Sequence, residues 1–452
     1  MGIDIVRQLR ATFGDGRTRP VSWRLQQLER LEAMLTDGEA DIAAALACDL
    51  GRSAADSFLG DVAPSLAEAR YARKHLRTWM RPGRVGLPLS QRPGRAWYSY
   101  EPLGVVLVIG PWNYPVYLTL APLVAAIAAG NCVVVKPSEH APQTATVLAR
   151  LIAAYLDEDA ITVVQGGPET TQQLLGEGLD HVLFTGGPEI GKAVMEAAAR
   201  RLTPVTLELG GKCPVVISAD ANLLVAARRI AWVKLLNSGQ TCIAPDYLLV
   251  ERSVRGQFLE HLKAALAEMS PTGGAGLPIV NPNHAKRLDG LLSGHGGGIL
   301  TGGHTETEQA KVDLTIVLDP ASDSPLMQEE IFGPLLPILT IDSLDDAIAT
   351  IMAKPKPLAA YLFTESETTR RAFRERVSAG AIVVNHVAMH VLVPQLPFGG
   401  VGNSGMGSYH GRWGFETFSH RKANLDRPTR FDLRAFYPPY NKLTERIIRA
   451  VF

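Results

Sequence analysis

The segment Asn237-Ser238-Gly239-Gln240-Thr241-Cys242-Ile243-Ala244-Pro245 sets one cysteine after a small polar turn and ahead of an apolar run. A thiol attacks as the thiolate, so Cys242 is a nucleophile only where its surroundings can activate it and use it. Taken alone, the segment equally describes an inert small hydrophobe. A thiol mechanism also needs a general base, a donor for the developing oxyanion and a site for a hydride acceptor. Residues of the right types occur elsewhere. Glu208, in Glu-Leu-Gly-Gly-Lys (208–212), can act as a general base for water or sit as a solvated carboxylate near a turn. Asn113, in Pro-Trp-Asn-Tyr-Pro (111–115), can donate an amide N–H to an oxyanion or fill a proline-bounded turn. Lys136 and Glu139, in Lys-Pro-Ser-Glu, can hold ribose hydroxyls, and the same residues suit a helix start with helpful acidic charge. The run Phe184–Ala193 follows a strand and opens a helix, so its backbone N–H groups can face a phosphate. Gly186, Gly191 and Lys192 nearly complete a P-loop, but Ala193 stands where a Mg²⁺-binding Ser or Thr belongs, which argues against an NTPase. A plain strand-to-helix turn fits that spacing equally well.

The elements that must position these residues alternate regularly. Residues 1–80 read as helical, with Leu25, Leu28, Leu31 and Leu35 at helical spacing behind a candidate Ser22 cap. Met80–Pro93 is a Pro/Gly/Arg connector, and Ala96–Tyr100 a strand of a small separate layer. From Gly104, short apolar strands (105–109, 132–135, 161–164, 181–184, 205–209) alternate with helices. Such runs mark parallel strands covered on both faces, a doubly wound α/β sheet. Ligands of such sheets bind beyond the carboxyl ends of the strands, where Asn113, Lys136, Gly186 and Glu208 fall. A second α/β unit starts after Gly210-Gly211, with a helix at 223–236 leading into the Cys242 turn.

Composition narrows the function classes. Of 452 residues, 46% are hydrophobic and 20% charged, a balance suited to more than one compact core. Lys+Arg and Asp+Glu are equal at 45 each, so no net field recruits nucleic acid or an anionic membrane. The basic stretch Arg421–Arg434 reads as a solvated tail. Cys48, Cys132, Cys213 and Cys242 are too few and scattered for a disulfide scaffold or zinc cluster, which points to a reducing compartment. Pro122 and Gly130-Asn131 divide the apolar stretch 118–135 into helix, turn and strand rather than a membrane span. Val6 breaks a myristoylation pattern and no secretory segment is visible, so a soluble cytoplasmic protein is expected.

Taken together, these stretches resemble the aldehyde dehydrogenase superfamily in sequence, order and spacing. Glu329-Glu330-Ile331-Phe332-Gly333-Pro334 and Pro397–Gly407 complete a set of seven motifs, and the likeness runs from about Trp23 to His420. It looks closest to the class 3 branch, which shares Leu-Thr-Pro-Val-Thr-Leu-Glu (202–208) and Gly-Met-Gly-Ser-Tyr-His-Gly (405–411). The resemblance implies an aldehyde dehydrogenase fold: a Rossmann-like NAD(P)-binding domain (1–82 and 105–210), an α/β catalytic domain (211–395), and a bridging, oligomerising β element with tail (83–104 and 396–452). It implies NAD or NADP as cofactor and a homodimer. Cys242 would be the nucleophile, Asn113 the oxyanion donor and Glu208 the base for water. Lys136 and Glu139 would meet the adenosine ribose, Gly186, Gly187 and Gly191 the pyrophosphate region, and Glu330 and Phe332 the nicotinamide ribose and ring. Tyr114, Trp232, Leu236 and Thr241 would line an apolar pocket for aromatic or medium-chain aldehydes. Three departures stand out: Gly187 replaces a residue that is often polar, Cys213 a common Ser, and Ala55 a common Phe, with Phe58 keeping an aromatic nearby. His386 and His390 lack a third ligand, so no metal site is expected there.

Overall fold

The computed structural model describes residues 2–270, 276–430 and 432–452. Its first sheet has six strands, ordered Gly405–Met406, Val205–Glu208, His181–Thr185, Val105–Ile109, Cys132–Lys136 and Ile161–Val163. All neighbours are parallel except Gly405–Met406, which adds antiparallel with Gly405 opposite Glu208. The central strands are buried on both faces, and so is the whole helix Tyr117–Ala129 against them. That double cover is why these strands read as unbroken β-branched runs. The chain runs outward from Val105–Ile109, then returns to lay His181–Thr185 on its other side. This reversal opens a crevice at the carboxyl ends of those two strands, between the loop carrying Asn113 and the Thr185-Gly186-Gly187 turn.

The second sheet has seven strands, ordered Gly298–Thr301, Thr315–Leu318, Leu335–Ile341, Tyr247–Glu251, Pro214–Ile217, Ala359–Phe363 and Ala381–Val384. Only Gly298–Thr301 is antiparallel to its neighbour. The rule of ligands at carboxyl ends does not transfer to this sheet. Cys242 lies just ahead of Tyr247–Glu251, and Glu330 and Phe332 just ahead of Leu335–Ile341. Segments entering the second sheet therefore meet segments leaving the first.

Two local expectations change. Ser22 is not a cap: the helix Val21–Asp37 follows Pro20 and has no side-chain cap. Arg421–Arg434 is not simply a tail, since Ser419–Asp426 pairs over its full length with Arg95–Pro102 in a three-stranded antiparallel sheet completed by Gly83–Val85. Phe431 lies outside the described residues.

Candidate active site

Cys242 sits on a turn held in an uncommon backbone shape. Asn237, Ser238 and Gly239 all have positive φ (49°, 52° and 71°). Two of these carry side chains, so the turn stores strain that its neighbours must hold. A side chain at Gly239 would strike the Gly333 carbonyl, 2.4 Å from its Cβ position. Gln240 supplies the staples: its amide donates to the carbonyls of Asn237 (3.0 Å) and Pro278 (3.1 Å), and its Oε1 accepts from Val280 N–H (2.9 Å).

Cys242 itself is only partly covered and opens on an apolar cleft of about 150 Å³. Tyr114, Trp232, Leu236 and Thr241 line that cleft with it, joined by Tyr117, Met389, Val391, Leu392 and Phe398. The Tyr114 hydroxyl meets Thr241 Oγ1 at 3.0 Å. The N-terminal helical segment also contributes, through Arg52, Asp56, Leu59 and Gly60 and not through Phe58. A π turn with i→i+5 spacing occupies Phe58–Val62 within this segment.

Asn113 is buried beside the nucleophile turn, and its side-chain amide donates to the Gln240 carbonyl at 3.1 Å. An amide nitrogen carries two hydrogens, so one remains for a second acceptor. Glu208 ends the Val205–Glu208 strand, buried, with neither carboxylate oxygen hydrogen-bonded among the described residues. Burial pushes its carboxyl well above the ordinary range. Burial also pushes the Cys242 thiol up to about 12, with Glu330 and then Glu208 adding to the rise. Cys242 is thus held as a thiol at neutral pH. Iodoacetamide should alkylate Cys242 slowly at pH 7, with a rate that climbs about tenfold per pH unit to at least pH 10. Peptide mapping by mass spectrometry separates Cys242 from exposed Cys48; a plateau already reached near pH 7 would mean a preformed thiolate.

Lys136 ends its strand buried, with its ammonium on Glu139 (3.0 Å) and the Pro137 carbonyl (3.2 Å). Gly187 caps the helix Pro188–Ala199 with open space where a side chain would stand. At Gly186 a Cβ would lie 2.5 Å from the Phe184 ring, and at Gly191 2.7 Å from Leu209, so Gly191 secures helix-to-strand packing. An open helix N-terminus beside a Lys–Glu pair suits a dinucleotide: N–H groups for its diphosphate, and a donor and an acceptor for ribose hydroxyls. Across the crevice, the 326–332 loop is fastened by Lys212 to the carbonyls of Leu326 (2.9 Å) and Glu329 (2.7 Å). Asp246 takes the Ile331 N–H at 2.8 Å. Phe332, at φ 49°, packs edge-on against Trp112 at 5.4 Å. Burial pushes Glu330 up to about 8, reinforced by the Asp246 carboxylate.

The remaining sequence features settle into packing. Cys213 is fully buried, its S–H donating to the Cys242 carbonyl at 3.4 Å. His390 stacks on Phe398 at 5.6 Å, and burial lowers it to about 4. Among the described residues, no group of three or more His, Cys, Asp or Glu side chains could hold a metal.

A thiol opening on an apolar cleft, with a dinucleotide-suited crevice alongside on a doubly wound sheet, is an arrangement suited to an α/β oxidoreductase. Residues 4–424 match the aldehyde dehydrogenase family. Aldehyde dehydrogenase family 3 member A2 of Rattus norvegicus is 46% identical, covering 93% of this chain and 87% of its own length. The "dimeric NADP-preferring" aldehyde dehydrogenase of Canis lupus familiaris is 44% identical over 96% of this chain and 97% of its own. A solved substrate-bound state of Staphylococcus aureus AldH superposes with a TM-score of 0.94 at 41% identity, covering 99% of this chain and 98% of the other. The chain belongs to the aldehyde dehydrogenase family, in its class 3 branch. It is an NAD(P)-dependent aldehyde dehydrogenase.

Proposed function

We propose that this enzyme oxidises aromatic or medium-chain aldehydes to carboxylic acids by the hydrolytic route, with water releasing the acyl group. The observation that carries this reading is the buried Glu208 carboxyl, both oxygens without partners, within electrostatic range of a thiol that opens on an apolar cleft. Cys242 gives up its thiol proton to solvent, attacks the aldehyde carbonyl as the thiolate and forms a thiohemiacetal alkoxide. The free amide hydrogen of Asn113 and the Cys242 backbone N–H donate to that oxygen, each well-aimed donor being worth about 3 kcal/mol. When bound, the nicotinamide ring supplies the acceptor for the hydride that leaves the carbinol carbon. Cys242 then carries a thioester; Glu208 takes a proton from water as its oxygen attacks the acyl carbon, the C–S bond breaks with Cys242 leaving as thiolate, and the acid departs. Atoms balance as aldehyde, water and NAD(P)⁺ giving acid, NAD(P)H and a proton.

Lys136 and Glu139 are assigned to the adenosine ribose, the Gly186–Gly191 turn to the diphosphate, and Glu330 with Phe332 to the nicotinamide end. The division we assign is 1–82 with 105–210 for cofactor, 211–395 for catalysis, and 83–104 with 396–452 as bridge and tail, the last segment lending Gly405–Met406 to the first sheet. The word "dimeric" in the canine relative's name supports a homodimer. No helix among the described residues is long and apolar enough to cross a membrane.

A second reading is transfer of the acyl group to coenzyme A. The buried Glu208 favours water, a far weaker acid than a thiol and so more dependent on a general base. NADH formation from an aldehyde panel, measured with and without coenzyme A, discriminates the two. Equal turnover in its absence is expected, and absolute dependence on it would replace water as acceptor.

A further inference from the structure

The oxyanion loop and the nucleophile turn are distant in sequence, yet both are tied to one buried guanidinium. Arg52 follows a left-handed Gly51 (φ 68°), and its side chain is 2% exposed. It pairs with Asp61, which is 0% exposed and carried on the π turn. Its Nη2 donates to the Asn113 carbonyl and its Nε to Asn237 Oδ1 at 3.3 Å. The guanidinium also lies over the Tyr114 ring, 4.4 Å from its centroid. Asp61 in turn accepts the backbone N–H groups of Val116 (2.9 Å) and Tyr117 (2.8 Å), the opening residues of the helix that follows the Asn113 loop. Asn237 closes the circuit by donating to the carbonyls of Asn113 (3.0 Å) and Gln240 (3.1 Å).

A buried ion pair is a poor way to gain stability, because desolvating both charges consumes most of their attraction. What this pair does that apolar residues cannot is hold three segments in register with five directed hydrogen bonds. One of those segments, the Asn237–Cys242 turn, is strained and would relax if released. A π turn interrupting a helix is itself a frequent mark of a functional position.

We propose that Arg52 and Asp61 are positioning residues that set the Asn113 amide against Cys242, so that oxyanion stabilisation depends on a charge pair outside the reacting groups. This rests on the role assigned to Asn113 under the proposed function, and the experiment separates the two. The full chain is prepared as Arg52→Lys, Asn113→Ala and the double variant, with folding checked by circular dichroism. Two rates are read: the pre-steady-state NADH burst, and acylation by 4-nitrophenyl acetate without cofactor, which passes through a tetrahedral oxyanion with no hydride transfer. Lysine keeps a charge for Asp61 but cannot reach Asp61, Asn113 and Asn237 together. Both rates in Arg52→Lys are expected to fall about 10- to 100-fold with KM for NAD(P)⁺ within about twofold, and the double variant should be no slower than about threefold below Asn113→Ala. Asp61→Asn, which retains an oxygen for the Val116 and Tyr117 N–H groups, should show the same coupling with a smaller loss and carries the test where Arg52→Lys fails to fold. Wild-type rates in the folded variant, or a double variant whose loss is the product of the single losses, would overturn the proposal. An Asn113→Ala enzyme with undiminished rates would instead overturn the oxyanion assignment.

Discussion

Cys242→Ala should abolish aldehyde oxidation, lowering kcat by at least about 10⁴-fold, as removal of a covalent nucleophile does elsewhere. Binding of NAD(P)⁺ should stay within about twofold of wild type, since the residues suited to the diphosphate and adenosine ribose lie on the other sheet's strand ends. No second thiol can substitute. Cys213 is nearest in the chain, but it is fully buried, bonded to the Cys242 carbonyl and absent from the cleft lining. Cys132 is buried inside the first sheet and Cys48 is exposed away from the cleft. The measurement pairs steady-state NADH formation with fluorescence titration of the cofactor. Turnover near the wild-type rate would remove Cys242 from the mechanism, whereas joint loss of turnover and cofactor binding would mean that the variant is misfolded.

Much of the first sheet was legible because burial on both faces leaves its strands no polar alternation. Val105–Ile109 and Cys132–Lys136 are nearly pure β-branched runs for that reason. Ser419–Asp426 was missed because it is its opposite. Its side chains are mostly exposed, so charge dominates and nothing periodic marks the eight residues that pair with Arg95–Pro102. The part of the N-terminal helices that reaches the cleft, Arg52, Asp56, Leu59 and Gly60, includes a π turn at Phe58–Val62 that has no composition signal. Arg52 left no trace at all. Its partners are 9, 61 and 185 residues away, and long-range contacts of one side chain write no local pattern. Motif order pointed to Cys242, Asn113 and Glu208, but the protonation of Cys242 and Glu208 could not be read from it. That depends on burial and on Glu330, 88 positions along the chain from Cys242 yet close enough to raise its thiol.

That protonation gives Glu208→Gln two effects of opposite sign. On activity, the substitution leaves nucleophile and oxyanion donor intact, so one equivalent of NADH should form per active site in a burst. Steady turnover should then slow by about 10²- to 10⁴-fold, the usual contribution of a general base. Wild-type deacylation should rise with pH as the elevated Glu208 carboxyl loses its proton, and that rise should disappear in the glutamine enzyme. On stability, the folded protein holds the Glu208 proton more tightly than the unfolded chain does. The contribution of that proton is fully present below the ordinary carboxyl range and is lost as pH climbs towards the folded value. At pH 8 wild type therefore carries a cost that a neutral amide of similar shape does not, about 1.4 kcal/mol for each unit of elevation. Glu208→Gln should accordingly melt above wild type at pH 8, with the gap closing towards pH 5, when calorimetry is run at both. A glutamine enzyme that loses the burst would give Glu208 a role before deacylation, and one that melts lower at pH 8 would mean the carboxyl is ionised and paired in the folded protein.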